Sequence, residues 1–95
     1  MNTISRRKIS DFVALHPNSE PSLISWYKIA MKAKWKNIVE VRQDYPHADL
    51  VGRLVVFNIA GNNVRLVVEI RYQSQSILIK HILTHEEYDK DRWKE

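Results

Sequence analysis

The stretch from Leu54 to Tyr72 sets two apolar runs, rich in Val, Ile, Phe and Tyr, on either side of a Gly61-Asn62 pair. Such a pair is a two-residue hairpin signal, because glycine takes the positive φ that other residues resist. From Val64 onward the alternation puts Leu66, Val68, Ile70 and Tyr72 on one face and Arg65, Val67, Glu69 and Arg71 on the other. One face requires a core, and the other carries charge. Arg65 thereby falls in a strand, one residue past the turn region.

The strands are predicted over Leu50–Ile59, Val64–Gln73 and Ser76–Thr84, with Ser74-Gln75-Ser76 as the second turn, so they form an antiparallel meander. Upstream, a short strand at Asn2–Ile4 precedes a helix over Ser5–His16, in which Ile9, Phe12, Val13 and His16 recur at helical spacing before Pro17. Asn18 and Ser19 can cap a second helix that tolerates Pro21 in its first turn. Leu23, Trp26, Tyr27, Ala30 and Ala33 form its apolar stripe. Trp26 and Tyr27 are assigned to packing, and Trp35 is left open between packing and base stacking. Asn37–Tyr45 is read as a short helix, and 46–49 as a loop in which His47 has no special role. Two helices followed by three strands indicate an α+β fold, the helical hairpin packing on one face of a small antiparallel sheet. With 95 residues and 44% hydrophobic content, one domain with one core is expected across the chain.

Without cysteine there is no disulfide, thiolate metal site or thiol nucleophile. No segment approaches the ~20 apolar residues of a membrane span, and the N-terminus lacks the apolar centre of a signal peptide, so a cytoplasmic location is expected. The net charge of +4 is uneven: residues 1–36 hold seven basic and two acidic side chains, whereas residues 86–95 hold three and five. Lys28, Lys32 and Lys36 recur every four residues on the second predicted helix, a basic line about 12 Å long at ~1.5 Å rise per residue. It reads as a solvated face or a polyanion contact.

The sequence lacks a Gly-x-Ser-x-Gly elbow, a phosphate-binding glycine loop and a dinucleotide fingerprint. These absences leave most catalytic classes unsupported. His81 and His85 would stand ~13 Å apart along a strand, too far to share one metal ion, and no cofactor is implied. His85 and Tyr88 come just after the last strand, with Arg65 on its neighbour. Attack of a ribose 2′-hydroxyl on its own phosphate needs a proton acceptor, a proton donor and a cation, and those residue types supply all three. The alternative is structural, with His85 and Tyr88 capping the sheet edge and Arg65 pairing with Glu69 or a C-terminal acid.

Three motifs carry a resemblance: Trp26-Tyr27-Lys28-x-Ala30-x-Lys32-Ala33-x-Trp35-Lys36, then Val56-Phe57-Asn58-Ile59-x-Gly61-Asn62-x-x-Arg65-Leu66-x-Val68-x-Ile70-x-Tyr72, then Thr84-His85-x-Glu87-Tyr88-Asp89-Lys90. In this order they resemble the HigB toxins of bacterial type II toxin-antitoxin systems, within the RelE superfamily. The resemblance implies two helices on an antiparallel sheet and a metal-independent endoribonuclease, an mRNA interferase that cuts mRNA in the ribosomal decoding site. It also implies neutralisation by a HigA antitoxin whose helix-turn-helix takes the complex to operator DNA. Arg65 matches the phosphate-stabilising position, and His85 and Tyr88 match positions that share the acid/base roles. Glu86 stands where many members have an arginine, and Arg53 replaces a lysine pair. Arg53, Arg71, Lys80 or the Lys28-Lys32-Lys36 line are therefore the candidates for further RNA contacts. The rival readings are a gyrase-poisoning toxin of the same superfamily and a non-catalytic module that binds nucleic acid or antitoxin.

Overall fold

The computed structural model describes residues 1–61 and 63–94. Strand β1 (Asn2–Ile4) leads into helix α1 (Arg7–Leu15), one turn of 3-10 helix at Pro17–Ser19, and helix α2 (Glu20–Lys32). Helix α3 (Ile38–Asp44) precedes strands β2 (Asp49–Val51), β3 (Leu54–Ile59), β4 (Val64–Arg71) and β5 (Ser76–Thr84), and a short helix α4 (His85–Asp89) closes the fold. The fold class is α+β as expected, built on a five-stranded sheet in the order β1-β5-β4-β3-β2. The sheet is mixed, because β1 runs parallel to β5 while the other pairs are antiparallel.

Alternation in β4 works as the sequence predicts. Leu66, Val68 and Ile70 join a core with Val55, Phe57, Ile77 and Ile79, covered by Ile9 and Phe12 of α1 and by Leu23, Trp26 and Ala30 of α2. Phe57 is its aromatic hub, with ring centroids 5.5 Å from Trp26, 6.3 Å from Trp35 and 5.1 Å from Tyr45. Trp35, the residue left open, is a packing residue: it is buried, and its indole N–H donates to Asp44 Oδ2 at 2.9 Å.

Several expectations need correction. The apolar run 50–59 is two strands, since Gly52 takes φ +62° and folds Val51 back onto Leu54. The β3–β4 connection is four residues long, closing on the Ile59–Val64 pair, with Ala60 and Gly61 both at positive φ. Asn62, the other half of the expected turn, lies outside the described residues. The second turn sits at Tyr72–Gln75 and not Ser74–Ser76, with Gln75 at φ 57° and its N–H donating to Tyr72 O.

The basic line on α2 is broken. Ala33 is already extended, so Lys28 and Lys32 stay on the helix and Lys36 does not. The chain leaves the helix where Trp35 turns into the core, a demand that the four-residue lysine spacing does not register. Ser19 occupies the N-cap of α2, but its hydroxyl donates to His16 O at 2.6 Å and caps no N–H.

Candidate active site

The outer face of the sheet, away from α1 and α2, is where Arg65, Val67, Glu69 and Arg71 point. A β-bulge falls between Val67 and Val68 of β4, whose partners on β5 are His81 and Ile79, so Lys80 is the extra residue. An extra residue inverts the alternation of the strand beyond it. Ile77 and Ile79 therefore face the helices before it, and Leu83 faces the outer side after it.

The C-terminal segment covers the middle of this face. Trp93 is buried against Leu54, Val56 and Val67. Its ring stacks on Tyr88 at 4.8 Å and 17°, and its Nε1 donates to Tyr88 O at 2.9 Å. Arg65 lies over Tyr88, Cζ 5.5 Å from the ring centroid. The phenol ring is thus held by the indole and the guanidinium, the latter in a cation–π contact that strengthens as water is excluded.

Local sequence sets the direction of Tyr88. Thr84-His85-Glu86-Glu87 forms a capping box: Thr84 Oγ1 accepts from Glu87 N–H at 3.2 Å, and Glu87 Oε1 accepts from Thr84 N–H at 2.9 Å. Both interactions satisfy helix-end donors that would otherwise lack partners. The His85 N–H donates to Asn63 O at 3.0 Å, tying α4 to the β3–β4 loop.

An open cleft of about 510 Å³ lies beside the Arg65–Tyr88 pair, completed by His47, Asp49, Val56 and Asn58. Asn58 is the cross-strand partner of Arg65, and Asp49 is the partner of Val56. Burial first, and then the Asp49 carboxylate, push the Tyr88 phenol above its usual 10.0, against the pull of Arg65 and Lys94. Through the neutral range this group is a proton donor.

His85 stands apart from that lining. Its Nδ1 lies 3.0 Å from Asp89 Oδ2 one helical turn on, and its side chain is 55% exposed. His85 and Tyr88 are three residues apart, which makes them neighbours on one face of α4. The structure thus puts Arg65 and Tyr88 in the lining of the cleft and His85 outside it.

The basic candidates divide into two groups. Arg53, Arg71 and Lys80 surround Glu69 on the outer sheet face. The Arg71 Nε donates to Glu69 Oε2 at 2.9 Å and Arg53 Nε lies 3.9 Å from Oε1. The Arg71 hydrogen bond, aided by the Arg71, Arg53 and Lys80 charges, holds the Glu69 carboxyl below the usual carboxylate range. Lys28, Lys32 and Lys36 are exposed on the helical side of the molecule. His81 lies in β5 and His85 in α4. Among the described residues, no three His, Asp or Glu side chains are gathered as metal ligands, and no helix is long and apolar enough to cross a membrane.

Sequence reasoning missed Asp49, Asn58 and Trp93, and took His47 for a plain loop residue. Asn58 was within reach, since a hairpin closed at Ile59 and Val64 puts it opposite Arg65. Trp93 also carried a signal, as a lone indole in a charged tail. Replacing Trp93 by Phe keeps a stacked ring but removes the hydrogen bond to Tyr88 O, a bond worth about 1 kcal/mol. Trp93→Phe is therefore expected to lower the melting temperature by roughly 4–8 °C, read by calorimetry; an unchanged melting temperature would show that the bond to Tyr88 O contributes nothing to holding the C-terminal segment.

Residues 19–91 match the HigB toxin family, described as the RelE-like toxic component of a toxin-antitoxin system. The chain is 28% identical over 93 residues to the mRNA interferase HigB of Escherichia coli O6:H1 strain CFT073, spanning 95% of this chain and 90% of that protein. It is 26% identical over 92 residues to the mRNA interferase toxin HigB of Escherichia coli strain K12 and to the mRNA interferase HigB of Shigella flexneri, spanning 94% of this chain and 88% of each.

Proposed function

This chain belongs to the HigB toxin family, the RelE-like toxic components of toxin-antitoxin systems, and from that we infer that it is an mRNA interferase, an endoribonuclease that cuts translated mRNA. The observation that supports the reading best is the Arg65–Tyr88 pair on the wall of an open cleft. A guanidinium beside a protonated phenol suits cleavage by the ribose 2′-hydroxyl: Arg65 neutralises charge at the phosphorane, and Tyr88 gives a proton to the departing 5′-oxygen. His85, adjacent to Tyr88 on α4 and oriented by Asp89, shares the acid/base work by returning a proton to the phenolate after each turnover. The products are a 2′,3′-cyclic phosphate and a 5′-hydroxyl end.

The setting we propose is the decoding site of a cytoplasmic ribosome. There the orientation of mRNA supplies much of the rate that a small open cleft cannot. Arg53, Arg71 and Lys80 extend the same sheet face toward flanking mRNA phosphates, and Lys28, Lys32 and Lys36 meet ribosomal RNA from the helical side, a salt-sensitive contact. A HigA-type antitoxin with a helix-turn-helix neutralises the toxin and carries the complex to operator DNA.

The test is induction of the chain and of Tyr88→Phe in growing cells, with mRNA ends mapped alongside. Growth arrest with new 5′-hydroxyl ends inside translated frames is expected, and Tyr88→Phe should reduce cutting about 10²-fold as a general acid is lost. Arrest without cuts would overturn the reading in favour of a gyrase poison, and no arrest would favour a binding module.

A further inference from the structure

We propose that Asp49 is the proton acceptor of this cleft, taking the proton of the attacking ribose 2′-hydroxyl from the side opposite Arg65 and Tyr88. The inference rests on the endoribonuclease reading above and names a residue outside the three sequence motifs quoted for the resemblance.

Placement comes from the sheet. Asp49 opens β2 and is paired with Val56, and Asn58, two residues further along β3, is paired with Arg65. Cross-strand partners share a face and so do alternate residues, so Asp49, Val56, Asn58 and Arg65 all belong to the outer face. Asp49 on β2 is in register with Val67 of β4 through Val56, so Arg65 lies two strand spacings away at ~4.8 Å each and two residues further along at ~3.3 Å each, about 12 Å in all. A ribose and its 3′-phosphate fit in that width. In-line displacement needs the acceptor on one side of phosphorus and the donor on the other, and the cleft is lined by a carboxylate from β2 and a phenol from α4 that can take those two roles.

Charge argues the same way. Among the described residues that line the cleft, Asp49 is the one carboxylate, and in the ground state it repels a phosphodiester. Taking the 2′-hydroxyl proton neutralises Asp49 as the phosphorane gains its second negative charge. The repulsion therefore falls as the transition state forms, which is the condition for accelerating the chemical step. The other groups are poorly suited to the task. Tyr88 is held protonated, in part by Asp49 itself, and His85 pairs with Asp89 outside the cleft lining. In the complete step the 2′-oxygen bonds to phosphorus with its proton passing to Asp49. The bond from phosphorus to the 5′-oxygen breaks, and Tyr88 protonates that oxygen. Solvent exchange and His85 then restore both groups.

The experiment uses the full chain with ribosomes programmed with mRNA. It measures the single-turnover rate at saturating toxin and, separately, binding to the same complex carrying a 2′-deoxy substitution at the cut site. Asp49→Asn is expected to slow cleavage about 10²-fold while binding is unchanged or tighter, because a repulsive charge has gone. Asp49→Glu is expected to recover part of the rate. An Asp49→Asn rate within threefold of the unaltered chain would overturn the proposal, as would equal losses of rate and binding. Loss of the chemical step in His47→Ala but not in Asp49→Asn would move the role to His47 and also overturn it. If the unaltered chain leaves the mRNA intact, the endoribonuclease reading itself fails, a pattern distinct from all of these.

Discussion

Arg65→Ala is expected to lower the rate of mRNA cleavage about 10³-fold, the largest loss of activity from any single change in the cleft. Removing one preorganised donor from a developing oxyanion typically costs about 3–4 kcal/mol in the transition state, and Arg65 is placed to supply a charged one. The loss has a second component, because Arg65 also lies over the Tyr88 ring and helps to fix the proton donor. Arg65→Lys keeps the charge but not the planar fork that grips two phosphate oxygens at once. It should recover less than a tenth of the rate. The side chain is only partly buried and belongs to neither apolar cluster, so both variants should melt within a few degrees of the unaltered chain. Cleavage by Arg65→Ala above a tenth of the normal rate would remove Arg65 from the chemistry, and the cleft would have to bind phosphate through Asn58 and the backbone.

That Arg65 could be placed from the sequence, while most of its partners in the cleft could not, comes from how each is positioned. Arg65 sits in an alternating strand beside a turn, and a period of two assigns its face without reference to anything distant. Helices α1, α2 and α3 were legible for the same reason, since a stripe of apolar residues is local information. Asp49 belongs to a three-residue strand that exists only because Gly52 reverses the chain, and inside an apolar run that glycine reads as strand interior. The bulge at Lys80 has no marker in composition. Residues beyond it, Leu83 among them, could not be given a face until the pairing with β4 was known. Helix α4 does have a local signature in its Thr-x-x-Glu capping box. It is easily passed over, because His85 and Tyr88 draw attention to chemistry before conformation.

Phe57→Ala is expected to destabilise the fold by about 4 kcal/mol. Phe-to-Ala changes in cores cost about 3–5 kcal/mol, and Phe57 is fully buried with three aromatic partners, each pair adding about 0.5–1.5 kcal/mol beyond area. For a domain of about this size, 1 kcal/mol moves the melting temperature by roughly 4–8 °C, so a fall of about 20 °C should be read by calorimetry. Trp26→Phe is the informative contrast. Trp26 is as deeply buried, but its Nε1 finds no hydrogen-bond partner among the described residues, and removing an unsatisfied donor offsets part of the volume lost. It should cost about 1 kcal/mol. If Trp26→Phe were as damaging as Phe57→Ala, the core would depend on total aromatic volume and not on Phe57 as its hub. The hub matters for the site as well, because Phe57 adjoins Asn58 on β3 and is paired with Leu66, the neighbour of Arg65 on β4. Loosening it disturbs the register that sets Asn58 opposite Arg65. Cleavage by Phe57→Ala should therefore fall below what the folded fraction alone predicts, while cleavage by Trp26→Phe should track that fraction.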